Sequence, residues 1–199
     1  MSMPLRVILA SKSKARRLLM KELGIPFECH PSGYEENMQL FSSPGKLARH
    51  LAVGKAKFIA SKFHDALIIG ADTFITIGKN KIGKPSSYQE AENIIRKMSG
   101  NTIKVHSGIA VIATDQDGQV KKELSGHVVT ALKIKKLSAR EIHVLAHHDE
   151  ALQISGAFSI EGEGGKMVEK IDGDYSNVIG LPLPELRKML IEIGLHHLA

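Results

Sequence analysis

Tryptophan is absent from the 199 residues, and three Tyr and six Phe are all the aromatic side chains besides histidine. That supplies little for the stacking platforms that hold single-stranded nucleic acid. The single cysteine, Cys29, excludes an intramolecular disulfide framework and fits a reducing compartment. No apolar run approaches the roughly 20 residues needed to span a bilayer. The segment "PLRVILASKSK" is broken by Arg6 and turns basic after four apolar positions, so it does not read as a secretory h-region. A cytoplasmic protein with no membrane partner is the expectation. Acidic residues are outnumbered, with 21 Asp and Glu against 27 Lys and Arg, and the net charge is +6. An excess of that sign favours an anionic partner: a nucleotide, a nucleic acid or a phosphorylated metabolite. What remains, 43% hydrophobic and 24% charged, is the composition of a folded globular chain that buries a core.

The sequence is organised around "LIIGADTFITI", residues 67–77. Leu67, Ile68 and Ile69 read as a strand buried on both faces that stops at Gly70. Asp72 then appears where the chain is still interior. A buried carboxylate needs a cation, hydrogen bonds or a metal, whereas an Asp capping a turn needs none of these, and this stretch alone leaves both open.

Upstream, residues 5–10 read as a first strand, followed by "SKSKARR" and a helix through Leu19 and Leu23 that ends at Gly24. Ser11 or Ser13 can cap that helix. Lys14, Arg16 and Arg17 crowd a helix start whose dipole already favours negative charge, which suits a bound phosphate; a solvated surface helix is the alternative. The P-loop spacing is absent. A short strand at 27–30 leads to "PSGYEEN" with Glu35 and Glu36, and a helix is predicted over 44–63. Its apolar stripe, Ala48, Leu51, Phe58 and Ile59, also carries Lys55 and Lys62. An inward Lys55 calls for an anion unless it snorkels to solvent.

Beyond the central stretch, a turn at 78–80 and a second short strand deliver "IGKPSS", with Lys84 extended before Pro85 in the loop beside the Asp72 segment. Ser87 and Glu90 read as a capping box for a helix whose stripe is Tyr88, Ala91, Ile95 and Met98. Residues 102–114 and 120–134 read as strands joined through "DQDG". Ser138 and Glu141 cap a further helix; His147, His148 and Asp149 are read as its solvated end, and the ten His show no H-E-x-x-H or related spacing. Five glycines from 156 to 173, framed around Glu161 and Glu163, imply tight turns or close backbone approach. Asp174, Ser176 and Asn177 form a polar turn, and Pro184 opens a last helix ending at Gly194. The pattern predicts one α/β domain over 1–199 with a mixed sheet.

The segments "LASKSKAR", "LGIPFE", "GYEE", "GKA", "GADT", "GKP", "VHSGIAV", "GAFSIEG" and "GDYSNVIGLPL", in this order, resemble the Maf proteins. These are nucleoside-triphosphate pyrophosphatases related in fold to the inosine-triphosphate pyrophosphatases. The resemblance runs nearly end to end. It implies a twisted mixed sheet flanked by helices, two lobes around a cleft, and often a homodimer. It implies hydrolysis between the α- and β-phosphates of pyrimidine or modified nucleotides such as dTTP, UTP or CTP, with Mg²⁺ or Mn²⁺, in pool sanitation or restraint of cell division. "GADT" and "GDYSNVIGLPL" favour this family over the inosine-triphosphate enzymes.

Carried over by position, the resemblance makes Ser11, Ser13 and Arg16 phosphate contacts, and Lys55, Asp72, Lys84 and Glu36 the catalytic polar core. Asp72 and Glu36 are the implied metal ligands. Two departures stand out. Ala15 occupies the place of the family's first arginine, and Lys12 or Lys14 lacks the bidentate fork to replace it. Glu161 stands in "IEG" where the family commonly has glutamine; an ionised carboxylate cannot donate, which implies a different recognition of base or ribose there, with metal binding by Glu161 as the alternative. The competing expectation is a catalytically weak protein that binds nucleic acid or a cell-division partner; nucleic acid is possible on charge but not favoured.

Overall fold

The computed structural model describes residues 6–148 and 150–195. The predicted strand start at Leu5 and the acid Asp149 lie outside these residues. The described chain divides into two compact units, one of residues 6–72, 107–128 and 180–195, the other of 73–106, 129–148 and 150–179. Three long strands, β3 (Ala66–Ile77), β5 (Thr102–Thr114) and β6 (Val120–Ile134), run from one unit into the other. The sheet is mixed and flanked by helices, as the strand and helix periodicities predict.

In the first unit, β1 (Arg6–Leu9) pairs in parallel with β2 (Glu28–Cys29) on one side and with β3 on the other. Arg6–Leu9 lies opposite Ala66–Ile69, residue for residue. Between β1 and β2 runs α1 (Lys14–Lys21), and between β2 and β3 runs α2 (Pro44–Ala60). The strand order β2–β1–β3 reverses direction at β1. In α/β sheets, ligands bind beyond the carboxyl ends of strands at such a reversal. The α2 face that meets the sheet is made small: Ala52, Ala56 and Ala60 pack with Ile59 on Ile8, Ala10, Ile68, Ala110 and Ile112.

Gly70 does not end the strand. β3 continues through it to Ile77, and Gly70 serves helix packing instead. A Cβ there would lie 2.3 Å from the Ala52 carbonyl oxygen and 2.9 Å from the Ala56 nitrogen. The turn reading of Asp72 is thereby overturned: Asp72 lies within a strand and is 5% exposed. The helix predicted over 44–63 stops at Ala60, and Lys62 beyond it is exposed, its ammonium 4.4 Å from the centre of the Phe58 ring.

In the second unit, β3 pairs antiparallel with β4 (Asn80–Ile82), and β6 with β7 (Val168–Asp172). Helices α3 (Tyr88–Met98) and α4 (Ala139–Ala146) close its core, with Ile95, Met98, Ile103, Val105, Leu132, Ile134, Ile142 and Leu145 packed together. Ser87 caps α3 through the Glu90 amide, but the Glu90 carboxylate turns back to Ser86, so the predicted box is not reciprocal. Tyr88 leaves the predicted stripe for the surface, and Ile94 takes a buried place. Ser138 and Glu141 do form the complete box on α4. The glycine-rich stretch folds as short 3-10 turns in which Gly164 and Gly165 approach the carbonyls of Ser159 and Ile160. A brief helix, α5 (Tyr175–Ile179), ends this unit; α6 (Leu183–Ile193), begun by a proline and ended at Gly194, belongs to the first.

Candidate active site

Four of the charged residues singled out in the sequence meet in the first unit. Lys55 projects from α2, whose close approach over Gly70 brings its ammonium to Asp72, two residues further along the same face of β3. Lys55 Nζ donates to Asp72 Oδ1 at 2.5 Å and lies 2.7 Å from Glu36 Oε1. The pair with Asp72 is sheltered, the side chains being 12% and 7% exposed, while Glu36 at 46% faces solvent. An inward lysine paired to an interior carboxylate is what the stripe on α2 requires; Lys55 does not snorkel away.

Glu36 is delivered by a loop pressed on α2 at two glycines. A Cβ on Gly54 would fall 2.3 Å from the Tyr34 ring, and one on Gly33 would meet the Phe58 ring at 2.9 Å. The Tyr34 hydroxyl is 2.9 Å from His50 Nε2. Tyr34, His50 and Gly54 are thus positioning residues that the sequence reading does not single out. A glycine inside a helical pattern, costing about 1 kcal/mol relative to alanine, is the signal that marks such an approach.

The third contributor is the turn after β1. Ser13 caps α1, its Oγ accepting from the Arg16 amide at 3.3 Å, and Ser11 Oγ accepts from the Ser13 amide at 3.2 Å. Arg16 Nε donates to the Gly180 carbonyl at 2.8 Å and its Nη1 to Ser11 Oγ at 3.4 Å. Gly180 holds a φ of +126°, a conformation that suits glycine and aims this carbonyl; its part is invisible without the fold. Burial pushes the Arg16 guanidinium below its ordinary range, and the negative charges of Asp72 and Glu36 oppose that shift. Arg16 therefore shares one electrostatic environment with both acids. Lys12, Lys14 and Arg17 are exposed.

Two cations and two carboxylates are assembled at the carboxyl end of β1, beside the middle of β3 and the start of α1. Donor hydroxyls, a helix N-terminus, a guanidinium and an ammonium suit a polyphosphate. Asp72 and Glu36 each offer one oxygen to Lys55, and the other oxygen of each accepts no hydrogen bond among the described residues. Hard carboxylate oxygens of this kind fit Mg²⁺ or Mn²⁺. Lys84 and Glu161 belong to the second unit: Lys84 is exposed between β4 and α3, and Glu161 is exposed in the turn before the last 3-10 segment. Histidines at i and i+4 do occur, at 143 and 147, contrary to the sequence expectation that no such spacing is present.

The similarities to known sequences cover nearly the whole chain. A nucleoside triphosphate pyrophosphatase of Synechococcus sp. (strain JA-2-3B'a(2-13)) is 38% identical over 189 residues, 94% of each chain. A dTTP/UTP pyrophosphatase of Ruminiclostridium cellulolyticum is 37% identical over 94% of this chain and 96% of its own. Among solved structures, a HAM1 protein from Coxiella burnetii overlaps 66% of this chain and 73% of its own at 18% identity and a TM-score of 0.41. The family model described as "Maf-like protein" matches residues 6–193, which takes in every residue of the cluster, and the chain belongs to that family.

Proposed function

We propose that this protein hydrolyses nucleoside triphosphates, pyrimidine ones such as dTTP, UTP and CTP or their modified forms, to the monophosphate and pyrophosphate. The observation that carries the reading is the sheltered Lys55–Asp72 pair with Arg16 and Glu36 at the strand-order reversal. Relatives of nearly the same length, 37–38% identical, bear names of that activity. Strands β3, β5 and β6 thread both units, which supports treating 1–199 as one catalytic domain. No helix among the described residues is long and apolar enough to cross a membrane; a cytoplasmic homodimer is part of the proposal.

The substrate's phosphates lie on the α1 start, where Ser11 and Ser13 hydroxyls donate and Arg16 offsets charge. Asp72 and Glu36 are the residues assigned to hold a divalent cation, which supplies positive charge to the phosphate oxygens and acidifies water. Asp72 also orients the attacking water. The new bond forms from water oxygen to the α-phosphorus, the bond to the α–β bridging oxygen breaks, pyrophosphate leaves, and the water's two protons go to the pyrophosphate and to solvent. Lys55 and Arg16 offset the charge that grows on it, with Lys84 and Glu161 assigned to substrate through the family resemblance.

The test is pyrophosphate release from ordinary and modified triphosphates with Mg²⁺, Mn²⁺ or chelator, comparing the wild type with Asp72→Asn and Lys55→Ala. Metal-dependent release lost in both variants supports the reading. A folded wild type without turnover on any substrate overturns it in favour of a binding protein, recognisable by steeply salt-dependent attachment to nucleic acid.

A further inference from the structure

A second cluster of metal-ligating side chains stands in the second unit. His143 and His147 are one helical turn apart at the end of α4, a spacing that puts both imidazoles on one face. Glu92 reaches them from α3, its Oε1 2.9 Å from His143 Nδ1. One donor atom from each of the three lies within 4.8 Å of the others. Glu92 is the most sheltered of them, its side chain 18% exposed.

The rings are held in place. His147 Nδ1 donates to the His143 carbonyl at 2.9 Å, which leaves the lone pair on Nε2, and Tyr88 stacks on the same ring at 4.9 Å. A ring nitrogen tied to a backbone carbonyl is the usual support of a metal-bound histidine. The two imidazole centres are 4.1 Å apart, and Arg96 already lies 3.7 Å from the other oxygen of Glu92. The three donors converge closely enough for a single cation to be shared among them.

We propose that Glu92, His143 and His147 bind a zinc-class divalent transition metal that clamps α3 to α4. Two imidazoles and one carboxylate suit Zn²⁺ or its imidazole-preferring neighbours and not Mg²⁺, and three protein ligands leave room for water. The site is separate in chemistry from the Asp72 and Glu36 oxygens, and it does not depend on the proposed hydrolysis.

The experiment strips the full-length protein with chelator and titrates Zn²⁺ alone by calorimetry in excess Mg²⁺, with Co²⁺ absorption as a second probe. One equivalent is expected to bind and to raise the melting temperature. His143→Ala, His147→Ala and Glu92→Gln should each weaken binding by at least about tenfold and change the Co²⁺ bands. His64→Ala, at an exposed histidine of the other unit, should leave binding unchanged. These ligands are largely at the surface, so circular dichroism should show folded variants. No Zn²⁺ binding below millimolar concentration, or binding indifferent to the His143 and His147 substitutions, overturns the proposal whether or not the protein hydrolyses nucleotides.

Discussion

Lys55 Nζ lies 2.5 Å from Asp72 Oδ1 and 2.7 Å from Glu36 Oε1, so one ammonium joins a strand carboxylate to a loop carboxylate. Removing the ammonium leaves Asp72 sheltered and unpaired. Lys55→Met is expected to cost about 3 kcal/mol in urea unfolding, because a buried charge that loses its partner keeps its desolvation penalty. The double variant with Asp72→Asn should recover at least half of that loss while staying inactive. If the double variant is as unstable as the single one, the two residues are not coupled as the geometry requires.

Arg16 is held along two directions, by the Gly180 carbonyl at Nε and by Ser11 at Nη1. Lysine has no fork with which to satisfy both and still meet a phosphate. Arg16→Lys is expected to raise KM for the triphosphate by about tenfold, equivalent to about 1.4 kcal/mol, with little change in melting temperature. Steady-state kinetics beside a thermal scan would check it, and a variant with wild-type KM would remove Arg16 from the substrate contacts.

What the sequence made legible follows from how local each signal is. The cap at Ser13, the basic start of α1 and the inward Lys55 are set by neighbours three or four residues away, and each is where the periodicity puts it. The strands over 102–114 and 120–134 match their predicted limits because β-branched alternation and the Asp115 turn, whose Oδ1 accepts from the Asp117 and Gln119 amides, are both local. Gly70 misleads because its role depends on α2, a partner distant in sequence. The same holds for Gly180, for the β2–β1–β3 order and for Glu92 opposite His143, all of which need the fold. The His143 and His147 spacing is visible in the chain, but Val144 stands where H-E-x-x-H has its glutamate.

The packing of α2 on β3 can be tested without touching a charge. Gly70→Ala would set a Cβ 2.3 Å from the Ala52 carbonyl oxygen, a backbone atom that cannot swing aside. The helix has to shift, at an expected cost of about 1–3 kcal/mol. That shift moves Lys55 off Asp72, so activity should fall further than stability alone explains. Gly83→Ala, where a Cβ meets nothing within 4 Å, is the control for unfolding and should be close to neutral. Equal destabilisation in the two variants would remove close helix approach as the reason for glycine at 70.

Acid stability offers a last handle, on α4. The Glu141 carboxylate accepts from the Ser138 amide and hydroxyl at 2.8 Å and pairs with Lys135 at 2.9 Å. These bonds, the backbone one first, lower its pKa from 4.5 to about 2. The folded state thus holds the charged form more firmly than the unfolded chain does, and between these two values the unfolded chain binds more protons. Stability therefore rises with pH across that window: the contribution is whole above about 4.5 and is lost as the pH falls toward about 2. In Glu141→Gln, an amide still accepts from Ser138 but has no charge to lose. The melting-temperature gap between wild type and variant should be constant at neutral pH and should shrink steadily in acid. A gap that stays the same down to the lower end of the window would mean that the capping box contributes through its hydrogen bonds alone and that ionisation of Glu141 adds nothing to the fold.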